Sequence, residues 1–122
     1  DPEFISLDND EDKIEDDLRL HQLIVGRRVW TEQSKDLVLQ VLEKFRDLSK
    51  SEFHAKRIVK ISRAVSKANK LSMGKVMMPL RYAVSGTDTG ASLDRTLELL
   101  GKDVVERRLE WVIENHKTLN NV

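Results

Sequence analysis

The sequence predicts an all-α fold, a compact bundle or cage of five to six short helices behind an acidic, disordered N-terminal leader. Three observations carry that prediction. Apolar residues recur at three- and four-residue spacing through most of the chain. No segment alternates apolar and polar residues between turns at hairpin spacing, so strands are not expected. Ser, Asp and Gly stand where helices of that periodicity would begin and end. At 122 residues the chain is long enough for one domain with a real core and too short for a second independent one.

From the N-terminus, Asp1-Pro2-Glu3-Phe4 reads as residues left by a cloning site. Ile5 to Asp17 is mostly acidic, with apolar residues too sparse to offset the entropy of ordering, so residues 1–17 are expected to form a mobile leader. Leu18 to Trp30 carries Leu18, Leu20, Leu23, Ile24, Val25 and Val29 and is expected to dock on the body as a short helix. Ser34 to Leu48 places Val38, Val41, Leu42, Phe45 and Leu48 on one face, with Ser34 a candidate N-cap. Ser51 to Lys70 is the longest helix candidate, capped by Ser51, with Ile58, Ile61, Val65 and Ala68 turned inward.

Pro79 suits the first turn of a helix, where its missing N–H would be unsatisfied anyway, so a short helix is predicted over 79–85, ended by Gly86. Thr87 to Gly90 forms a loop. Ser92 to Leu100 makes another short helix, stopped by Gly101. Asp103 and Glu106 have capping-box spacing for a last helix with Val105, Leu109, Val112 and Ile113 on its apolar stripe. Met77, Met78, Leu80 and Trp111 are expected core fillers, and residues 117–122 an expected frayed tail. The body of the domain is therefore placed at 18–116.

Charge divides the chain. The first 20 residues hold nine acids and two bases, about −7, which leaves 12 acids and 19 bases, about +7, for the rest. A basic body suits an anionic partner such as nucleic acid, although ordinary solvated charge gives the same count. Lys56, Lys60, Arg63, Lys67 and Lys70 follow one another by four, three, four and three residues, within a narrow arc of the long predicted helix. Facing RNA, that stripe would supply salt-sensitive contacts to phosphates; facing water, it would be the solvated side of an amphipathic helix.

Catalytic patterns are missing. Cysteine is absent, which removes disulfides, thiolate zinc sites and cysteine nucleophiles and fits a reducing compartment. His21, His54 and His116 have no partner at metal-ligand spacing and read as surface or capping residues. Gly86-Thr87-Asp88-Thr89-Gly90 lacks the Gly-Lys-Ser/Thr of a phosphate loop, and Gly101-Lys102 is followed by Asp103 where Ser or Thr would hold magnesium. No apolar run approaches the roughly 20 residues of a membrane span, so the chain is expected to be soluble.

One stretch names a function. Met77-Met78-Pro79-Leu80-Arg81-Tyr82-Ala83-Val84-Ser85-Gly86, then Gly90-Ala91-Ser92-Leu93, then Leu99-Leu100-Gly101-Lys102, resembles the end of discriminating-type glutamyl-tRNA synthetases of bacterial or organellar type, class I enzymes with a C-terminal anticodon-binding domain. Their pattern runs like M-x-P-L-R-x-A-x-T-G, G-P-x-L, L-L-G-K. The likeness is clearest from Lys75 to Leu109 and weakens to shared helical patterning between Ser34 and Lys70.

The resemblance implies a helical cage that holds the splayed anticodon loop, non-catalytic by itself, in a parent enzyme that ligates glutamate to its tRNA with ATP and magnesium. Lys70-Leu71-Ser72 echoes the lysine-serine signature of the ATP site, but Met73 stands where lysine belongs, so no cofactor is expected here. The implied partners are a glutamate tRNA and the catalytic domains upstream in the same chain, with no membrane and a monomeric state, in a bacterial cytoplasm or an organellar matrix.

By the same resemblance, Arg81 reaches an anticodon base, for which a guanidinium is suited, unless it only pairs with a helix-end acid. Thr89, Gly90, Ala91 and Leu93 correspond to the turn that contacts the first and middle bases. Ala91 stands where the family has proline, so that turn loses a fixed φ and gains an N–H. Thr89 could bond a pyrimidine edge or cap its own turn. Tyr82 and Trp30 are read as core residues before stacking platforms. A helical protein-interaction module is the competing reading, distinguished by binding that ignores the anticodon.

Overall fold

The computed structural model describes residues 30–87, 90 and 92–120. Helices follow in the order α1 (Glu32–Arg46), one 3-10 turn (Lys50–Glu52), α2 (Ala55–Ala68), α3 (Met73–Ser85), α4 (Leu93–Leu100), α5 (Lys102–Glu114) and α6 (His116–Asn120). No strand occurs among the described residues, as the sequence predicts. The expected leader at 1–17, and the helix expected over 18–30 except for Trp30, lie outside them.

Helix α1 is the centre, packing against α2, α3, α5 and α6. Its inward face is Leu37, Val38, Val41, Leu42 and Phe45, the heptad-like spacing seen in the sequence. The cap is Thr31, not Ser34. Thr31 Oγ1 accepts the Ser34 N–H at 3.1 Å, and Ser34 Oγ accepts the Thr31 N–H at 3.2 Å, so Ser34 closes a reciprocal capping box from inside the first turn.

The long helix expected from Ser51 is broken. Phe53 is buried and meets the Phe45 ring edge-to-face, with centroids 5.1 Å apart, and the chain leaves helical geometry to put it there. Ser49 rather than Ser51 caps the short 3-10 turn, with Glu52 as its partner. His54 caps α2, its Nδ1 accepting the Arg57 N–H at 3.4 Å. Helix α2 ends at Ala68, two residues before Lys70.

Helix α3 departs furthest from expectation. It begins at Met73, so Pro79 lies in its interior and not in its first turn. A proline there withholds the bond to the carbonyl four residues back, at a cost of about 3 kcal/mol. The upstream turn forms nonetheless because Val76, Leu80 and Ala83 are all fully buried on one face. Burying Val76 alone offsets much of that cost. Gly86 ends the helix at φ +73, as predicted.

Gly101 is both the last cap of α4 and the first of α5, at φ +90 and ψ 159, a conformation only glycine adopts readily. A Cβ built on it would meet nothing within 4 Å, so the constraint there is backbone alone. The capping box expected from Asp103 and Glu106 does not form. Helix α5 starts two residues earlier, and Asp103 pairs with Lys50 at 3.1 Å while Glu106 pairs with Lys102 at 2.7 Å. Ser92 stands at the α4 cap position without a side-chain capping bond.

The core joins α1, α2, α3, α4 and α5 through Val38, Ile58, Leu80, Leu97 and Leu109, all effectively inaccessible. Leu80 fills it as expected, and Met77 and Trp111 pack partly buried against it. Met78 does not, at 45% exposure, because the helix turns it onto the outer side. The expected fray after residue 116 is replaced by α6, which buries His116 and Leu119. Helix propensity of five residues could not hold that turn; the apolar contact of Leu119 does.

Candidate nucleic-acid interface

The basic stripe of α2 exists as a surface. Ile58, Ile61, Ser62, Val65 and Ser66 turn into the core, and Lys56, Lys60, Arg63 and Lys67 are exposed on the opposite side. Lys70, also exposed, is not on the helix; it sits past its end with φ +56. No acid occupies the first turn of α2, so the positive end of its dipole adds to the same potential. Beside the stripe a hollow of about 280 Å³ has Leu48, Ile61 and Ala64 as an apolar floor and Lys44, Arg57 and Lys60 at its rim, with Asp47 the acid among them.

Helix α2 packs against both α3 and α4, which carry the other candidate residues. Arg81 is half-buried one turn before the end of α3, and its carbonyl accepts the Ser85 hydroxyl at 2.7 Å. Ser85 and Thr87 are buried, and the Ser85 hydroxyl also accepts the Thr87 N–H at 3.4 Å, which shapes the chain as it leaves α3. Gly90 is exposed with φ +128, again a glycine conformation. Leu93 is 2% exposed and belongs to the core, so its side chain is not presented to a ligand. Thr89 and Ala91 lie outside the described residues.

Three groups of functional interest escaped the sequence reading. Arg108 is 1% exposed, and its Nη1 donates to the Val84 carbonyl at 2.6 Å, tying α5 to the last turn of α3. In the sequence it stands three residues after Val105 and four before Val112, on the apolar side of α5, so helical spacing was the signal that could have found it. Gln40 and Asn69 exchange amide hydrogen bonds at 3.2 and 2.8 Å between α1 and the end of α2. Trp30, His116 and Glu32 form a chain of hydrogen bonds, with Trp30 Nε1 donating to His116 Nδ1 at 2.9 Å and His116 Nε2 2.7 Å from the Glu32 carboxylate.

A wider groove of about 570 Å³ runs on another face, lined in part by Trp30, Leu37, Lys75, Met78, Pro79 and Tyr82. Trp30 and Tyr82 are buried at its edge, as the core reading of both expects. Glu52 is held below the usual carboxylate range, first by the Ser49 N–H, then by the Ser49 hydroxyl, with smaller help from the charges of Arg57 and His54. Among the described residues, no group of three or more His, Asp or Glu side chains is placed to hold a metal ion. No described helix is long and apolar enough to cross a membrane.

An all-helical domain with an exposed stripe of cations has the electrostatics of a nucleic-acid-binding module. Residues 14–113 match the family model of the anticodon binding domain, and the chain belongs to that family. It is similar to the glutamate–tRNA ligase of Thermobifida fusca, 31% identical over 107 residues, 84% of this chain and 22% of that protein. The glutamate–tRNA ligase of Christiangramia forsetii is 26% identical over 92 residues, 75% of this chain and 18% of the relative. That of Legionella pneumophila strain Paris reaches 50% over 44 residues, 36% of this chain and 9% of the relative. The chain thus spans about a fifth or less of the length of these curated relatives. No solved structure matches it.

Proposed function

We propose that this chain is the anticodon-loop-reading module of a glutamate–tRNA ligase, non-catalytic alone, which positions a glutamate tRNA while ligation with ATP takes place on domains upstream in a longer chain. The observation that carries the proposal is the solvent-facing cation stripe of α2, set against α3 and α4 in a domain of the anticodon-binding family. Lys56, Lys60, Arg63, Lys67 and Lys70 contact phosphates and supply affinity without base preference. Arg81 and the turn carrying Thr89, Gly90 and Ala91 supply the base reading, since anticodon bases are unstacked and offer their pairing edges. Leu93 supports that turn from the core and touches RNA, if anywhere, through its backbone.

The test is a titration of the 122-residue chain with a glutamate tRNA and with an anticodon-substituted version, each at two salt concentrations. Binding in the micromolar range or weaker is expected, falling steeply with salt and weaker for the substituted RNA. Arg81→Ala should cost about 1–3 kcal/mol against the native anticodon and less against the substituted one. Equal affinity for both RNAs would remove base reading and leave the protein-interaction module.

A further inference from the structure

Lys70 has the backbone of a glycine. Among the described residues, positive φ occurs at Gly86, Gly90 and Gly101, and at this lysine, φ +56. Its Cβ is crowded there in a way that glycine avoids. The turn itself is well formed. Lys70 N–H donates to the Lys67 carbonyl at 3.2 Å, and Leu71 N–H to the Ser66 carbonyl at 2.9 Å, the paired bonds of a Schellman end whose left-handed residue is ordinarily glycine or asparagine.

We propose that Lys70 trades fold stability for charge at this glycine position, its left-handed backbone holding the ammonium where it meets a phosphate past the end of α2, an inference that rests on the RNA-binding reading above and deepens it. Packing does not account for it, because Lys70 is exposed. Compensation of the helix dipole does not either, since Lys67 already stands in the last turn of α2 without strain. What the position offers is placement. The stripe on α2 stops with the helix at Ala68, and Lys70 carries positive charge past that end.

The mount is rigid. Asn69, the residue before, donates through Nδ2 to the Gln40 side chain at 2.8 Å and to the Val65 carbonyl at 2.8 Å, and accepts the Gln40 amide at 3.2 Å. The end of α2 is therefore pinned to α1, the central helix, and the lysine is held with little backbone freedom to lose when a phosphate binds.

The experiment compares the 122-residue chain with Lys70→Gly and Lys70→Arg, by thermal melting and by titration with a glutamate tRNA across a salt series. Lys70→Gly should melt a few degrees higher, because the left-handed residue is relieved, yet bind about threefold to tenfold more weakly, with a log–log salt slope shallower by about 0.7 to 0.9. Lys70→Arg should keep both the melting point and the slope. A glycine variant that binds with unchanged affinity and slope, or melts lower, overturns the inference while the wild-type salt dependence leaves RNA binding standing. A wild type that does not bind tRNA overturns both.

Discussion

Glu52 illustrates how one surface carboxylate organises a turn. It accepts the Ser49 N–H at 2.8 Å while its own N–H donates to the Ser49 hydroxyl at 3.3 Å, and this reciprocal cap ends α1's connection and releases Phe53 into the core. The sign of its pH effect follows from the direction of its shift. A carboxyl lowered from 4.5 on folding stabilises the fold above that value and ceases to do so as pH falls through the lowered one. Denaturant midpoints measured against pH should therefore separate wild type from Glu52→Gln at neutral pH and converge in acid, once pH has fallen through the lowered value. A gap that persists in acid would mean that the carboxylate charge is not what holds the turn. His54 as a cap and Trp30 and Tyr82 as core were legible from residue type alone. Arg108 was missed: its place on the apolar side of α5 follows from spacing, but the acceptor its guanidinium needs, the Val84 carbonyl, lies 24 residues away.

Among the elements, α3 shows why helix faces are easier to infer than helix ends. Val76, Leu80 and Ala83 recur at helical spacing across Pro79, but a local rule places proline at a helix start. The rule lost to burial, since the turn before Pro79 is held by side chains that reach α1, α2 and α5. Pro79→Ala restores an N–H to the interior of α3, and it should raise stability by about 1–3 kcal/mol in urea unfolding, less whatever the ring contributes to the groove it lines. An unchanged midpoint would mean that the ring's packing equals the lost hydrogen bond. The starts of α1, α2 and α5 shifted for a related reason. Thr31 caps α1, His54 caps α2, and α5 follows Gly101 with no side-chain cap, so the first residue of each is set by where the core demands an apolar side chain and not by the nearest Ser or Asp.

Across the described residues, the segment before α1 is tied to the start of α6. Trp30 precedes α1 and His116 begins α6, and the indole N–H donated to Nδ1 leaves Nε2 as the protonated nitrogen, which donates to Glu32. Leu119 adds an apolar anchor at 1% exposure. Removing residues 116–122 should therefore cost about 3–5 kcal/mol, from one buried leucine and an indole N–H left without its acceptor. Chemical denaturation of the shortened chain checks this, and a loss below about 0.5 kcal/mol would return the segment to a frayed tail. At this scale the candidate interface also takes form. Helix α2 lies against both α3 and α4, so the cation stripe and the residues proposed to read bases belong to neighbouring elements, a juxtaposition that spacing along the chain does not contain.

Periodicity and composition were sufficient for the all-helical class, for most of the inward faces of the helices though not for Ala68, which is exposed, for Gly86 and Gly101 as helix stops and for the exposed side of α2, because each follows from interactions within a few residues. The Met-Pro-Leu-Arg segment and its spacing to Leu-Leu-Gly-Lys pointed to the family in the same local way. Packing settled the rest. The broken start of α2, the proline inside α3, the exposed Met78, the partner of the buried Arg108, helix α6 and the left-handed Lys70 each depend on contacts between residues far apart in sequence. Such contacts form only once the elements have met, and they can outweigh local preferences of one to three kcal/mol.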